Sequence, residues 1–520
     1  MQTLGVVAAG HPLTAEAGAR VLREGGNAVD AAIAAVLTSC VTESPLTGLG
    51  AGGYMLVHDG ASEPVVLDFF VAVPGLDGAE RRSELVPIPV HFTEESAQIF
   101  NIGPASCGVP GTPAGLVAAA ERFGSAPLAD LAGPAAALAR DGLTINAEQA
   151  YFLSILDPIL THYREARAVY APAGRIIAAG ESFVFAELGD AIERLGSDGA
   201  EPFYRGEVAA AIAAWVRERG GTLGTDDLAT YEPIARAPVE AAFCGRRVLT
   251  NPPPSSGGIL IAYALALLER LGASGTEEVV VAMEAAQAAR SEDFLAGLLE
   301  EGFGRRFLDP ERIGRAADEV AAAAAGGRRL ARAPDDLLGS TTHITAVDAA
   351  GGCASVTCSN GTGSGLIVPG TGVHVNNMLG EQDLNPHGFH RHRPGVRLPS
   401  MMSPSVVLRG GQLEAGLGSG GSNRIRSAVL QTIVHLLADG ETVADAVIAP
   451  RVHFEQGTVQ AEPGIDPAVL RRLERRGYEV ARWEVLNLFF GGVHAVARDP
   501  ESAELSAYGD PRRGGAVAFA

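Results

Sequence analysis

The chain has 520 residues, of which 47% are hydrophobic and 19% charged, and its formal net charge is −21 at pH 7. This length exceeds one small hydrophobic core, so we expect two domains or one large interleaved domain. The acidity and the lack of any block of basic residues argue against a nucleic-acid partner or an anionic membrane surface. The five cysteines are scattered and without CxxC spacing, which indicates neither a disulfide framework nor a zinc site.

The start of the chain carries no recognisable targeting signal. Residues 1–7 lack a basic segment followed by an apolar core, so we expect no signal peptide. The apolar run at residues 31–41 is too short to cross a bilayer. We therefore expect a cytoplasmic protein with no membrane partner.

The first part of the chain has a mainly helical pattern. Residues 12–42 predict an apolar helix interrupted at Gly25-Gly26, with Asn27 capping its second half. Residues 48–53 match GxGxxG, but a helix precedes them and a strand follows, the reverse of a dinucleotide loop, so a tightly packed turn is the better interpretation. Residues 74–105 are rich in proline and predict a long irregular loop.

The pattern changes after a loose tract, residues 321–336, that is rich in Ala, Gly and Arg. Residues 344–347 predict a buried strand, and short strands separated by turns dominate from there to the C-terminus. A helical first part and a strand-rich second part fit two domains. They also fit one fold in which strands from both parts share sheets.

The junction Ser340-Thr341 suggests a specific chemistry. The Thr341 hydroxyl could attack the Ser340 carbonyl, shift the acyl group to an ester and lose it to water, which would free the Thr341 amine. A threonine with a free amine is a nucleophile with its own base, because an α-amino group titrates near ~8. The alternative is an ordinary strand start rich in β-prone threonine, and this stretch alone favours that alternative.

A second GxGxxG, at residues 416–421, lies between a predicted strand and a predicted helix. Backbone N–H groups at the start of that helix would attract an anion, either a phosphate or the oxyanion of acyl transfer. A dinucleotide site would also need an acid that closes a βαβ unit, and Asp439 is followed by another predicted helix. A nucleotide-binding protein is therefore the rival hypothesis from another functional class.

Two other kinds of site are not indicated. The histidines at positions 387, 390 and 392 lie in a Pro/Arg-bearing loop without ligand spacing, so a solvated loop is the better interpretation and we expect no metal. No GxSxG elbow is present, and Ser419 and Ser422 lack its spacing, which argues against Ser-His-Asp chemistry. We expect no cofactor.

Several segments, taken in order, resemble the γ-glutamyltransferase (γ-glutamyltranspeptidase) family of N-terminal-nucleophile hydrolases. Each segment is weak alone, but the ordered set covers nearly the whole chain. The segments are residues 24–32, 108–115, 139–142, 252–258, 341–348, 376–377, 400–404, 418–424 and 510–512.

The resemblance implies an α+β fold, a four-layer αββα sandwich built from both halves of the chain as one interleaved domain. A large segment, residues 1–340, would end at Ser340, and a small segment, residues 341–520, would begin at Thr341. The two fragments would form a heterodimer, whose further oligomerisation the sequence leaves open. The implied activity is hydrolysis or transfer of γ-glutamyl groups from small amides or peptides of the glutathione type.

The resemblance also implies the catalytic residues. Thr341 would be the nucleophile both for self-cleavage and for turnover. Ser359 falls where the family has a second hydroxyl that supports the nucleophile. Gly420 and Gly421 match the paired glycines whose N–H groups hold the oxyanion, in agreement with the anion pocket inferred above.

Five positions correspond to the family's substrate-binding residues. Asn360 lies near a substrate-binding Asn, with a register uncertain by one residue. Glu381 falls at the acid for the substrate α-amino group, and Ser400 at the first of two serines near the α-carboxylate. Met401 replaces the second serine, and Phe70 replaces the Arg that grips the α-carboxylate.

The loss of that Arg leaves the substrate open. A charge-assisted Arg–carboxylate pair is worth roughly 1.5–3 kcal/mol, so its loss costs about 10- to 100-fold in affinity unless Arg391, Arg393 or Arg397 substitutes. One alternative is the same reaction with altered carboxylate recognition. The other is an amidohydrolase or acylase for a non-glutamyl amide. A family member that stays unprocessed and serves as a scaffold is a third.

Overall fold

Two large antiparallel sheets form the centre of the fold. The computed structural model describes residues 3–91, 97–325 and 341–520. The strands in those ranges are β1 Gly5–Ala9, β2 Gly52–His58, β3 Val65–Phe69, β4 Val86–His91, β5 Ala97–Ile102, β6 Leu143–Thr144, β7 Ser182–Phe183, β8 Ile234–Arg236, β9 Val239–Phe243, β10 Arg246–Thr250, β11 Thr342–Asp348, β12 Cys353–Ser359, β13 Ile367–Val368, β14 Val373–His374, β15 Ser405–Arg409, β16 Gln412–Gly420, β17 Val452–Glu455, β18 Thr458–Ala461, β19 Glu479–Arg482, β20 Gly492–Arg498, β21 Leu505–Gly509 and β22 Ala516–Phe519.

Helices dominate the part of the chain before residue 325. The α-helices of the described ranges are α1 Pro12–Arg23, α2 Ala28–Thr42, α3 Thr112–Phe123, α4 Leu128–Asp141, α5 Ala147–Ile155, α6 Asp157–Leu160, α7 Arg164–Tyr170, α8 Ala186–Asp198, α9 Glu201–Tyr204, α10 Glu207–Glu218, α11 Thr225–Ala229, α12 Ser256–Leu271, α13 Thr276–Ala288, α14 Glu292–Gly297, α15 Phe303–Phe307, α16 Pro310–Ala325, α17 Arg424–Val434, α18 Val443–Ile448 and α19 Pro467–Arg475. Within these ranges no helix combines the length and the apolar character needed to cross a membrane.

Both sheets combine strands from before residue 325 with strands from after residue 341. The first has the order β22–β1–β11–β12–β2–β3–β8, and the second has the order β21–β20–β16–β15–β10–β9. All neighbouring strands in the two sheets are antiparallel. The two parts of the chain therefore complete each other's sheets.

The alternation of side chains along β11 shows how the layers arise. Ile344 and Ala346 pack into the apolar cluster that contains α2 and α4. Thr345 points to the other face, where its hydroxyl donates to the His494 carbonyl of the second sheet at 3.1 Å. On the far face of the second sheet, α12 and α17 pack against β9 and β16. The order helix–sheet–sheet–helix confirms the four-layer αββα sandwich.

The break between α1 and α2 is where the sequence predicts it. The Asn27 side chain accepts N–H bonds from Val29 and Asp30, and the Asp30 carboxylate accepts the Asn27 N–H at 2.9 Å. This reciprocal capping box satisfies the free donors of the helix start. It fixes α2, buried along its whole length, beneath β11.

The second GxGxxG is not a loop. Residues 416–420 belong to β16, which pairs antiparallel with β15 and β20, and α17 begins only at Arg424. A dinucleotide loop follows a strand of a parallel βαβ unit. The nucleotide-binding hypothesis is therefore wrong for these residues.

Candidate active site

Thr341 lies at the edge of the described chain, immediately before β11, and is only 6% exposed. Because Thr342 pairs with Cys358, the same register places Thr341 opposite Ser359 at the end of β12. The end of β16 meets this point from the second sheet. Ser340, on the other side of the predicted cleavage site, lies outside the described residues.

Gly420 packs directly against the nucleophile, and Gly421 follows it in the chain. A Cβ at Gly420 would lie 2.2 Å from the Thr341 carbonyl oxygen, so only glycine allows this approach. Gly421 has φ +126°, and a Cβ there would lie 3.0 Å from the Gly491 Cα. The predicted oxyanion glycines and the predicted nucleophile are therefore adjacent.

Of the two residues at the end of β12, the structure brings one to the nucleophile. Ser359 is buried, and its Oγ accepts the Gly361 N–H at 3.0 Å. The Asn360 side chain instead donates to the His374 carbonyl at 3.2 Å and does not border the pocket described next. The pocket lining thus gives no support to the predicted role of Asn360.

A small pocket opens on Thr341, and we call it the donor pocket. Its walls combine hydroxyl groups, two carboxylates and many apolar side chains. The lining residues are Phe70, Thr341, Ser359, Gly361, Met378, Glu381, Asp383, Leu384, Ser400, Met401, Met402, Ser422 and Ile425. Four of the five predicted substrate-binding residues are among them.

Glu381 is the buried acid of the donor pocket. Its Oε1 accepts a hydrogen bond from the Asn377 side chain at 2.9 Å. Burial and the neighbouring Asp383 carboxylate raise the pKa of Glu381 to about 8. Asp383, which the sequence did not single out, accepts the Ser422 hydroxyl at 2.7 Å. A carboxyl group with the pKa of Glu381 is mostly protonated near neutral pH.

This raised pKa predicts a pH-dependent stability. The fold favours the protonated form of Glu381, so its contribution is complete below the unfolded pKa of 4.5 and is lost as pH rises through about 8. Glu381→Gln keeps a neutral group at every pH. The melting temperature of this variant minus that of the parent is expected to rise by roughly 2 °C or more between pH 5 and pH 9. Exposed Glu501→Gln is the control, and an equal rise there would contradict the assignment to Glu381.

Ser400 and Met401 lie on a segment fastened to the start of α12. The Ser400 carbonyl accepts the backbone N–H groups of Ser256 and Gly257 at 2.8 and 3.1 Å. Its Oγ accepts the Met402 N–H at 3.0 Å. The Met401 sulfur lies 3.3 Å from the Ser256 hydroxyl. The pocket wall at the second serine position is therefore a thioether and not a hydroxyl donor.

Phe70 is part of the core as well as of the pocket wall. Its ring stacks on Tyr54 with centroids 5.5 Å apart, and its carbonyl accepts the Tyr231 hydroxyl at 2.7 Å. The position that the resemblance assigns to a carboxylate-binding Arg thus holds a buried apolar ring.

None of the three arginines proposed as substitutes lines the donor pocket. Arg397 lies with its Nε 3.5 Å from the buried carboxylate of Asp68 and its guanidinium 4.1 Å from the centroid of the Tyr231 ring. Its Nη2 donates to the Glu232 carbonyl. The side chains of Arg391 and Arg393 are exposed. The described lining of the donor pocket contains no basic side chain.

Two other groups of titratable side chains lie outside the donor pocket. His343 is fully buried between the sheets, with its ring nitrogens 2.8 and 2.9 Å from the Thr357 and Thr345 hydroxyls, and burial holds its pKa well below the usual range. His435, Asp439 and Glu441 have potential metal-ligand atoms within 4.8 Å of one another, but the described lining of the donor pocket excludes all three. No cofactor or metal enters the chemistry derived below.

Sequence reasoning missed two charged residues beside the nucleophile. Glu43, at the end of α2, accepts the Thr342 hydroxyl at 2.6 Å. Arg513, near the C-terminus, points its Nη1 at the Thr341 carbonyl, 3.5 Å away. Segment 510–512 directly precedes Arg513, and segment 24–32 lies earlier in the chain than Glu43, but nothing in their spacing indicates that the two charges meet.

Comparisons with known proteins point to one family. The sequence profile of the family described as Gamma-glutamyltranspeptidase matches residues 14–520. The glutathione hydrolase proenzyme of Escherichia coli (strain K12) is 30% identical over 542 residues, which cover 98% of this chain and 90% of that protein. The acylase ACY 1 proenzyme of Pseudomonas sp. (strain SE83) is 30% identical over 513 residues, covering 96% and 90%. A cephalosporin acylase crystal structure from Bacillus halodurans matches with a TM-score of 0.84 and 26% identity, covering 99% of this chain and 96% of that one.

Proposed function

Because the chain belongs to the gamma-glutamyltranspeptidase family, we propose that it is a self-processing amidohydrolase that uses Thr341 on an acyl donor without an α-carboxylate. Family membership identifies the chain as an enzyme, as the sequence predicts. The family includes both glutathione hydrolases and acylases. The nature of the acyl group is the part that we propose.

The observation that carries this proposal is the lining of the donor pocket. A γ-glutamyl donor brings a carboxylate, and burying a carboxylate without a cationic partner costs several kcal/mol. The described lining offers Phe70 and Met401 where a carboxylate would need donors. Arg397, the buried one of the three arginines considered as replacements, already lies beside Asp68. An acyl group with an apolar or amine-bearing end meets no such penalty.

The chemistry follows from an N-terminal threonine. In maturation, the Thr341 Oγ attacks the Ser340 carbonyl carbon, the peptide C–N bond breaks, and water hydrolyses the resulting ester. This leaves a carboxylate on Ser340 and an amine on Thr341. In turnover the same Oγ attacks the substrate amide, and its proton passes through the α-amine to the leaving amine. Water or an acceptor amine then takes the acyl group from Thr341.

Residues 420 and 421 supply the electrostatic part of this mechanism. Acyl transfer passes through a tetrahedral oxyanion, which preorganised N–H donors stabilise. The contact of Gly420 with the Thr341 carbonyl supports that role, as does the left-handed backbone of Gly421. The hydroxyl of Ser359, opposite Thr341 in the strand register, is a proposed support for the nucleophile.

We also infer that the two fragments stay together after cleavage. Residues 1–340 would form the large fragment and residues 341–520 the small one. Each sheet takes strands from both, and separation would expose sheet edges and two apolar cores. A heterodimer of the two fragments is therefore the proposed active species.

Hydrolysis or transfer of γ-glutamyl groups is the second candidate. Glu381 and Asp383 favour it, because carboxylates in the donor pocket can bind a substrate α-ammonium group. A bound ammonium would also favour the ionised form of Glu381. This candidate needs a cationic partner for the carboxylate, and the described lining contains no basic side chain.

Four p-nitroanilides separate the two candidates. γ-Glutamyl carries both the carboxylate and the amine, glutaryl keeps only the carboxylate, 4-aminobutyryl keeps only the amine, and butyryl has neither. We expect kcat/KM to be about 10- to 100-fold higher for 4-aminobutyryl or butyryl than for its carboxylate-bearing counterpart. Release of p-nitroaniline from fully processed protein measures this.

The pattern of results decides the substrate class. If the γ-glutamyl compound is the best of the four, the proposed donor is wrong and the second candidate holds. If 4-aminobutyryl exceeds butyryl, the two acids bind an amine. Thr341→Ala protein is the blank for all four compounds.

A further inference from the structure

A second cavity of about 50 Å³ borders the nucleophile and shares only Thr341 with the donor pocket. Its walls are mostly apolar and come from the end of α2 and from α5. Two charged residues, half-buried Glu43 and buried Arg513, line it close to Thr341. Neither has a role in the chemistry derived above.

Glu43 is held rigidly beneath the first strand residue of the small segment. It directly follows α2 as the helix C-cap residue, so the helix fixes its backbone. Its Oε1 accepts the Thr342 hydroxyl at 2.6 Å, and its Oε2 is buried with no hydrogen-bond partner among the described residues. A Cβ at Gly10 would lie 2.4 Å from Oε1, so a larger residue there would push the carboxyl away.

Arg513 approaches the same point from the C-terminal turn. Its Nη1 lies 3.5 Å from the Thr341 carbonyl oxygen, on the side where Gly420 packs. A Cβ at Gly492 would lie 2.7 Å from its Cδ, so the alkyl part of Arg513 rests on a bare glycine. The adjacent Arg512 is locked by a buried ion pair with Glu462 at 2.6 Å. Packing on Gly492 and the fixed neighbour Arg512 thus place the Arg513 guanidinium at the Thr341 carbonyl.

After cleavage, the new N-terminus at Thr341 needs contacts that hold it in place. Chain termini fray unless something holds them, and the nucleophile becomes a terminus when its bond to residue 340 breaks. A displacement of about 1 Å at a reacting group can cost on the order of 100-fold in rate. Hydrogen bonds to Thr342 and to the Thr341 carbonyl restrain the terminus without occupying the reacting hydroxyl or amine.

We infer that Glu43 and Arg513 are a positioning pair that holds the N-terminal Thr341 in its reactive geometry. This rests on the proposed function of Thr341. Glu43 acts through the Thr342 hydroxyl, and Arg513 acts through the Thr341 carbonyl.

The protonation of Glu43 supports a role that depends on hydrogen bonding. Burial raises its pKa to about 7, while the Thr342 hydroxyl and the Arg513 charge act in the opposite direction. The other titratable groups that border the cavity or act on Glu43 are Cys40, His11, Glu148, Tyr170, His343 and His494. A neutral amide that accepts the Thr342 hydroxyl is thus a close mimic of the protonated acid.

The test compares Glu43→Ala with Glu43→Gln. Alanine removes the acceptor and is expected to lower kcat about 10- to 100-fold, with KM changed less than about twofold. Glutamine keeps an acceptor oxygen and is expected to recover most of kcat and to flatten its dependence on pH between 6 and 8. The substrate is the most active of the four p-nitroanilides, and intact mass gives the fraction of cleaved chain.

Two further variants distinguish a loss of positioning from misfolding. Thr342→Val removes only the hydroxyl that Glu43 accepts and is expected to lower kcat in the same way, since its shape is unchanged. Glu148→Ala, an exposed residue at the rim of the same cavity, is expected to behave like the parent protein. Melting temperatures show which variants are folded.

The outcomes separate this inference from the proposed function. If the parent protein is never cleaved, the proposed function fails. If the parent is cleaved and active, and folded Glu43→Ala and Thr342→Val match it in kcat, the positioning pair is wrong. A rise in KM with kcat unchanged would also overturn it, because that result indicates substrate binding and not positioning.

Discussion

A Thr341→Ala variant is expected to remain one uninterrupted chain and to lose at least about 1000-fold in turnover. Loss of a nucleophile typically removes most of an enzyme's rate acceleration. Here it also removes the group that cuts the chain, so both losses should appear together. The substitution deletes a hydroxyl and a methyl group at a residue with 6% exposure, which is a small change to packing.

The sequence offers an unusual way to observe cleavage. The chain contains no lysine, so its only primary amines are chain termini. An amine-reactive dye should label the parent protein on two fragments, the smaller beginning at Thr341, and should label Thr341→Ala only at the original N-terminus. Edman reading or intact mass identifies the new terminus.

Thr341→Ser is the matched control for this experiment. It keeps the hydroxyl and the free amine, so it is expected to be cleaved and to retain measurable activity. Two fragments from the alanine variant would falsify the assignment of Thr341. Full activity from an uncut parent chain would overturn the mechanism as a whole.

The elements that carry the chemistry could be predicted because their signals are local. The capping residues at Asn27 and the glycines at 420 and 421 are contiguous patterns, and each occurs where the structure needs it. The hairpin of β4 and β5 was missed because Pro87 and Pro89 argue against a strand. A two-stranded ribbon consists only of edges, and an edge strand tolerates proline.

The charges around the nucleophile could not be predicted because they are far apart in the chain. Glu43 and Arg513 meet only when the end of α2 and the last turn of the chain converge on Thr341. The orientation of the Asn360 side chain could not be predicted either. It directly follows β12, yet its side chain donates to the His374 carbonyl and does not line the donor pocket.

The absence of a carboxylate-binding Arg was visible in the sequence, but its consequence was not. Three arginines in one loop offered a replacement for the residue at position 70. The structure explains why the buried one, Arg397, is not a replacement: it lies beside Asp68, two residues before Phe70, and Asp68 also accepts a hydrogen bond from Arg236 at 2.8 Å. The segment around Phe70 therefore has no cation of its own for a substrate carboxylate. Its Asp68 also pairs with Arg397, the arginine that could have supplied one.

A Gly420→Ala variant is expected to lose about 100- to 1000-fold in turnover and to be cleaved slowly if at all. Its Cβ would lie 2.2 Å from the Thr341 carbonyl oxygen, and neither backbone moves freely, because Gly420 is paired within β16 and Thr341 directly precedes β11. Relief of that contact must move the oxyanion donor or the nucleophile. Loss of one oxyanion donor alone costs on the order of 100- to 1000-fold.

The control is Gly133→Ala, in the middle of α4, where an added Cβ has no atom within 4 Å. It is expected to be cleaved and active, with a melting temperature at or above that of the parent, because alanine favours helix. A folded Gly420→Ala protein that is cut and turns over like Gly133→Ala would mean that the oxyanion lies elsewhere. If folded Gly420→Ala protein is cleaved normally but is inactive, self-cleavage and turnover differ in their requirements. Self-cleavage would then proceed without the oxyanion N–H donor that turnover needs.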